Sequence, residues 1–259
     1  MKAIAARRHH RLAPVALLLL ALLVTGGLYA ALAPSAASAS APSEDDIAAG
    51  RALFQANCAT CHGPSAEGRE GAPSLIGVGA AAVDFQVSTG RMPMQMDGAQ
   101  AMAKPPQFNA EETSQLAAYV ASLGAGPAIP SAEQVDPSLG DAANGGALFR
   151  TNCAMCHGAI GKGGALSEGK YAPNLGPSTP TQIYEAMQTG PQSMPVFNDA
   201  NLTPEEKRDI IAFLGEQDAG SPGGTDLGAI GPVGEGIWVW VVGMGLLIAC
   251  AVWIGAKSS

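Results

Sequence analysis

Two long apolar runs bracket the chain, and between them the apolar positions become periodic. Residues 13–33, APVALLLLALLVTGGLYAALA, follow the basic stretch KAIAARRHHR. Some twenty apolar residues is bilayer length. Residues 236–256, GIWVWVVGMGLLIACAVWIGA, carry no charge, place Trp238, Trp240 and Trp253 near the two ends, and are followed by Lys257. That pattern predicts a transmembrane helix with interfacial aromatics. In the middle, NAEETSQLAAYVASL (109–123) puts Leu116, Tyr119, Val120 and Leu123 on one helical stripe, and TPEEKRDIIAFL (203–214) does the same with Ile210, Phe213 and Leu214. Each helix opens on a capping residue, Asn109 or Thr203, with Glu112 or Glu206 three positions on. This is a capping box. Pro204 takes the first helical position, where a missing N–H costs nothing. The stretches GAGPAIPSAEQVDPSLG (124–140) and GSPGGTDLGAIGPVGEG (220–236) interrupt the periodicity and read as linkers.

The middle region is one unit written twice. GRALFQANCATCHG (50–63) and GGALFRTNCAMCHG (145–158) agree at ten of fourteen positions. GAPSL (71–75) answers YAPNL (171–175), and STGRMPM (88–94) answers QTGPQSMPV (188–196), with a Thr-Gly before each Met-Pro. Two copies are too few for a solenoid, so the expectation is an all-α pair of small domains in tandem. The organisation reads as an N-terminal signal or anchor over 1–42, a first domain over 43–124, a linker over 125–140, a second domain over 141–218, a linker over 219–235 and a membrane helix over 236–256.

Charge refines this picture. All 22 acidic residues lie between Glu44 and Glu235 with nine basic ones, 9 − 22 = −13 for that region. Such a body offers no basic face to nucleic acid. The basic N-terminal flank predicts a cytoplasmic N-terminus and sends the repeats to the extracytoplasmic side of the cell membrane. The small-residue run APSAASASA also suits a signal cleavage site, so a retained anchor and a cleaved signal both remain open.

Of five cysteines and four histidines, four cysteines and two histidines fall in NCATCHG and NCAMCHG: Cys58, Cys61 and His62, then Cys153, Cys156 and His157. A structural zinc site wants four ligands and each copy supplies three. A redox dithiol expects a βαβ setting, which these short helices and loops do not provide. Disulfides suit the compartment but leave the adjacent histidines unexplained. Covalent haem attachment explains both residue types: two thioethers tether the porphyrin and the next residue ligates iron. His9 and His10 precede the first apolar run, so methionine is the available sixth ligand. Met92, Met94, Met96 and Met102 qualify in the first copy, Met187 and Met194 in the second. The shared Thr-Gly…Met-Pro pattern selects Met92 and Met194, with Met94 and Met96 as the alternatives to Met92. An iron saturated by His and Met favours outer-sphere electron transfer over chemistry at the metal.

These residues resemble class I cytochrome c domains over nearly all of 43–217. The resemblance implies that Gly50 with Phe54, and Gly145 with Phe149, lie at the crossing of the first and last helices, facing Tyr119 and Phe213. It implies also that the carbonyls of Pro73 and Pro173 accept the N–H of His62 and His157. The whole layout, with GKGGALSEGKYAPNLGP, TGPQSMPVF and a tail in WIGA, is similar to the dihaem cytochrome c subunit of the actinobacterial cytochrome bcc complex, a menaquinol–cytochrome c reductase. That resemblance implies two covalently bound haem c groups, held by Cys58, Cys61, His62 and Met92 and by Cys153, Cys156, His157 and Met194. The implied partners are the cytochrome b subunit, the Rieske iron–sulfur subunit and an aa-type terminal oxidase. A cbb-type oxidase subunit, a dehydrogenase subunit and a stand-alone tethered carrier are the rival readings.

Overall fold

A computed structural model describes residues 13–32, 42–96, 98–219 and 232–257. Within it the chain divides into two units, Met1–Ala41 and Pro42–Ser259. The described part of the first is a single helix, α1 (Ala13–Leu32). The expected cleavage region and His9 and His10 lie outside the described residues, as does most of the second linker.

The first repeat is built from α2 (Glu44–Asn57), the one-turn α3 (Ala59–His62), α4 (Gly79–Ser88) and α5 (Ala110–Ser122). Ser43 caps α2 by accepting from Asp46 N–H at 3.1 Å, and three acidic residues in its first turn complement the helix dipole. The predicted box closes α5: Glu112 N–H donates to Asn109 Oδ1 and Asn109 N–H donates to Glu112 Oε2, both at 2.9 Å. Helices α2 and α5 cross where α2 has no side chain. A Cβ on Gly50 would fall 1.9 Å from Gln115 O, so only glycine permits this approach. One turn on, the rings of Phe54 and Tyr119 pack with centroids 5.2 Å apart. Such a pair contributes about 0.5–1.5 kcal/mol beyond the area it buries.

The second repeat uses the same devices in α7 (Ala142–Asn152), the one-turn α8 (Ala154–His157), α9 (Pro180–Thr189) and α10 (Pro204–Asp218). A Cβ on Gly145 would sit 1.9 Å from Asp209 O, and Phe149 meets Phe213 at 5.4 Å. Asp209 also fastens the start of α7, accepting from Asp141 N–H at 2.7 Å and from Asn144 Nδ2 at 2.8 Å. Both capping boxes expected from sequence are present, Thr179 with Gln182 adds a third at the head of α9, and Ser131 with Gln134 a fourth. An antiparallel pair of two-residue strands, β1 (Gly164–Ala165) and β2 (Tyr171–Ala172), has no counterpart of strand length among the described residues of the first repeat.

The stretch 124–140, expected to be a plain linker, is ordered against both repeats. Pro127 O accepts from Ala81 N–H at 3.1 Å. The short α6 (Ala132–Val135) follows, and Gln134 Nε2 donates to Tyr184 Oη at 3.1 Å. The last helix, α11 (Pro232–Lys257), begins inside the region read as a second linker, because proline suits a first helical turn. Its segment Gly236–Ala256 is long and apolar enough to cross a membrane.

Candidate haem-binding sites

Each CxxCH segment occupies the corner where the first helix of its repeat ends. Cys58 closes α2 by donating its N–H to Phe54 O at 2.8 Å, then opens α3 by accepting from His62 N–H at 2.9 Å. Cys153 repeats both bonds, to Phe149 and from His157, at 2.8 and 2.9 Å. The turn presents both thiols and the imidazole together. A loop then returns beneath the histidine: His62 O accepts from Gly68 N–H and His157 O from Gly163 N–H, each at 2.7 Å.

That return loop brings a proline carbonyl to each ring. His62 Nδ1–H donates to Pro73 O at 2.8 Å, and His157 Nδ1–H donates to Pro173 O at 3.1 Å. A carbonyl oxygen can only accept, so Nδ1 carries the proton and Nε2 keeps a free lone pair. This tautomer is the one that a metal ligand through Nε2 requires, and the hydrogen bond fixes the ring and raises its basicity. Burial pushes the His157 pKa below its ordinary value and so favours the neutral imidazole, opposed in part by the bond to Pro173.

The thiols also suit attachment. All four CxxCH cysteines are free, and none is tied up in a disulfide. Burial first, and then the neighbouring cysteine, push Cys58 and Cys153 up to about 11, so both are held as thiols. Cys58 and Ala59 pack on the first core together with Leu75, Val78 and Met92, and Cys153 and Ala154 pack on the second with Ile160, Leu175 and Met194. In both repeats the first cysteine and one methionine therefore border the same core, and the second cysteine and the histidine follow on the adjoining one-turn helix. This donor set fits a covalently tethered haem with an axial histidine and methionine.

The candidate methionines differ in burial. Met92 and Met194 are half-buried against the two cores, whereas Met94, Met96 and Met102 are exposed. Met187 is sealed inside the second core and acts as packing. The loops carrying Met92 and Met194 are held differently. In the first, Lys104 Nζ donates to the carbonyls of Gly90 and Pro93 on either side of Met92. In the second, Phe197 N–H donates to Met187 O at 2.7 Å, and buried Lys207 pairs with Asp199 at 2.6 Å while lying over the Tyr184 ring. Sequence reasoning passed over both lysines, since a lone lysine carries no local signal of a loop partner.

The two repeats also touch each other. Helices α4 and α9 pack together, with Gln182 Nε2 donating to Ser88 Oγ at 3.3 Å. Beside that bond Glu185 is fully buried, and neither carboxyl oxygen has a donor. Burial, then the charge of Asp84, push its pKa up to about 9, and burial raises Asp84 as well. Burial therefore keeps the proton on Glu185 at neutral pH.

Comparisons with known proteins agree with this geometry. The cytochrome c family model matches residues 47–124. The model described as cytochrome C oxidase, cbb3-type, subunit III matches residues 140–214. The chain is thus a tandem of cytochrome c domains, the class that carries covalently bound haem c. The cytochrome bc1 complex cytochrome c subunit of Corynebacterium efficiens is 47% identical over 253 residues, covering 90% of this chain and 85% of that protein. That of Mycobacterium tuberculosis strain H37Rv is 47% identical over 261 residues, covering 97% and 93%. The FixP subunit of the cbb3-type oxidase of Rhizobium meliloti matches at 33% over 138 residues, half of this chain and 44% of FixP. The chain belongs to the cytochrome c subunits of the cytochrome bc1 complex, and its work is electron transfer through its cytochrome c domains.

Proposed function

We propose that the chain is a membrane-anchored dihaem relay, taking electrons from the Rieske centre of a quinol-oxidising complex and delivering them to a terminal oxidase of the aa type. Cys58 and Cys61 tether the receiving haem and Cys153 and Cys156 the delivering one. His62 with Met92, and His157 with Met194, supply the axial pairs. Haem c contributes a reversible one-electron change at iron; the protein contributes orientation, potential and exclusion of water. The observation that carries this reading is the imidazole–carbonyl bond made twice, His62 to Pro73 and His157 to Pro173. Neither ligand set keeps a position for oxygen, which favours electron transfer over catalysis at iron.

The apolar helix Gly236–Ala256 supports an anchor. The positive-inside rule supports haem domains on the extracytoplasmic side, next to the cytochrome b and Rieske subunits. Packing of the two repeats along α4 and α9 supports transfer within one chain in place of a diffusible cytochrome. The match of residues 140–214 to a cbb3-type oxidase subunit favours a second reading, an oxidase subunit, but FixP resembles only half of this chain.

The test is a mild-detergent pull-down of the tagged chain from its own membranes, with a reduced-minus-oxidised spectrum. A c-type band with b-type bands and a Rieske protein supports the quinol-oxidising assembly, and an added a-type band supports the attached oxidase. A c-type band alone removes the partners from the account.

A further inference from the structure

The methionine loop of the first repeat does not stop at its own site. Gln100 reaches into the second repeat and makes two hydrogen bonds to one residue there. Its Nε2 donates to Tyr171 O at 3.0 Å, and Tyr171 N–H donates to its Oε1 at 2.9 Å. The side-chain amide thereby acts as a further strand on the open edge of β2. The next residue, Ala101, is buried and donates its N–H to Gln192 Oε1 at 3.2 Å. Then Met102 Sδ accepts from Tyr171 Oη at 3.5 Å.

The receiving positions lie beside the second site. Tyr171 stands two residues before Pro173, whose carbonyl accepts from His157 Nδ1–H. Gln192 stands two residues before Met194. Its φ of 59° is a left-handed conformation that residues other than glycine seldom adopt. Strained backbone of this kind persists where surrounding contacts hold it, and here one such contact comes from the other domain. Three successive residues of the first repeat thus grip the segments bearing the histidine's carbonyl partner and the axial methionine of the second.

We propose that Gln100 is a positioning residue for the second haem site, so that the first domain completes the ligand geometry of its neighbour. The clip ties the histidine side of that site to its methionine side through a loop anchored in the other domain. The inference rests on His157 and Met194 being the second axial pair.

The experiment uses the full holoprotein in its detergent-purified complex, comparing wild type with Gln100→Ala and Gln192→Ala. Two quantities are read: amide hydrogen exchange over residues 165–175 and 188–197, and the midpoint potentials of the individual haems. Loss of the bond from Tyr171 N–H should speed exchange at that amide about fivefold in Gln100→Ala. The second haem's potential should shift while the first haem's stays in place. Gln100→Glu should match wild-type exchange at acid pH, where its protonated carboxyl both donates and accepts; once ionised it still accepts from Tyr171 N–H but faces Tyr171 O without a donor, so protection should fall only in part. Unchanged exchange overturns the inference, as does faster exchange with the second potential unmoved, or a shift confined to the first haem. His157→Ala separates the two claims: if both haems stay low-spin in that variant the ligand assignment fails, whatever Gln100 does.

Discussion

Replacing Glu185 by glutamine removes a proton that the folded chain holds against the pull of neutral solvent. Glu185 is 0% exposed, faces Asp84 across the contact between α4 and α9, and has its pKa raised from 4.5 to about 9. Below pH 4.5 the group is protonated whether the chain is folded or unfolded, so nothing is lost. From there to pH 9 the unfolded chain gives up the proton and the folded chain keeps it. Stability therefore falls with rising pH by about 1.4 kcal/mol per unit and levels off above pH 9. At pH 7 the window spans roughly 2.5 units, giving a penalty of about 3 kcal/mol at most. Glu185→Gln carries no such proton, and its amide can donate to Asp84. It should be more stable than wild type at pH 7 and above, by roughly 1–3 kcal/mol, and no more stable near pH 4. Guanidinium unfolding of the purified holoprotein, followed by far-ultraviolet circular dichroism at several pH values, measures this. Parallel pH profiles for the two proteins would refute the buried proton on Glu185.

Gly145→Ala should destabilise the second domain by about 1–3 kcal/mol, because the new methyl meets Asp209 O at 1.9 Å and the helices must part. Gly215→Ala, in α10 with open space around it, should instead gain up to about 1 kcal/mol in the same unfolding assay. His157→Ala should keep both thioether-linked haems by mass spectrometry yet lose low-spin character at one and stop quinol-to-oxidase flow; full activity would sink the serial relay. Met194→His should lower the potential of one haem in a redox titration, since imidazole replaces the thioether. An unshifted value would remove Met194 from the iron.

The chemistry was legible because it is local. Both CxxCH segments, the Met-Pro pairs and the boxes at Asn109 and Thr203 are short patterns whose geometry a helix turn determines. The Gly50 and Gly145 crossings followed from the family resemblance, and both appear as close helix contacts. The head of α9 had a legible signal too, in Thr179, Pro180 and Gln182, that the repeat alignment passed over. The rest depends on residues far apart in sequence. Gln100 meets Tyr171 and Glu185 meets Asp84 only after the two domains dock, and in sequence each looks like a solvated polar side chain. The same holds for Lys104 and Lys207, whose loop partners are set by tertiary folding. Residues 124–140 looked like a linker because they are rich in Pro and Gly, yet Pro127 and Gln134 bond to the domains on either side.

The most direct test of the central claim is quinol-driven reduction of the purified complex, followed by stopped flow at the c-type band in wild type, His62→Ala and His157→Ala. The account predicts two haem equivalents reduced per wild-type chain. It predicts one in His157→Ala, where the receiving site still fills, and a block ahead of both in His62→Ala. Equal reduction of the remaining haem in the two variants would contradict a relay that enters at the first domain and leaves from the second.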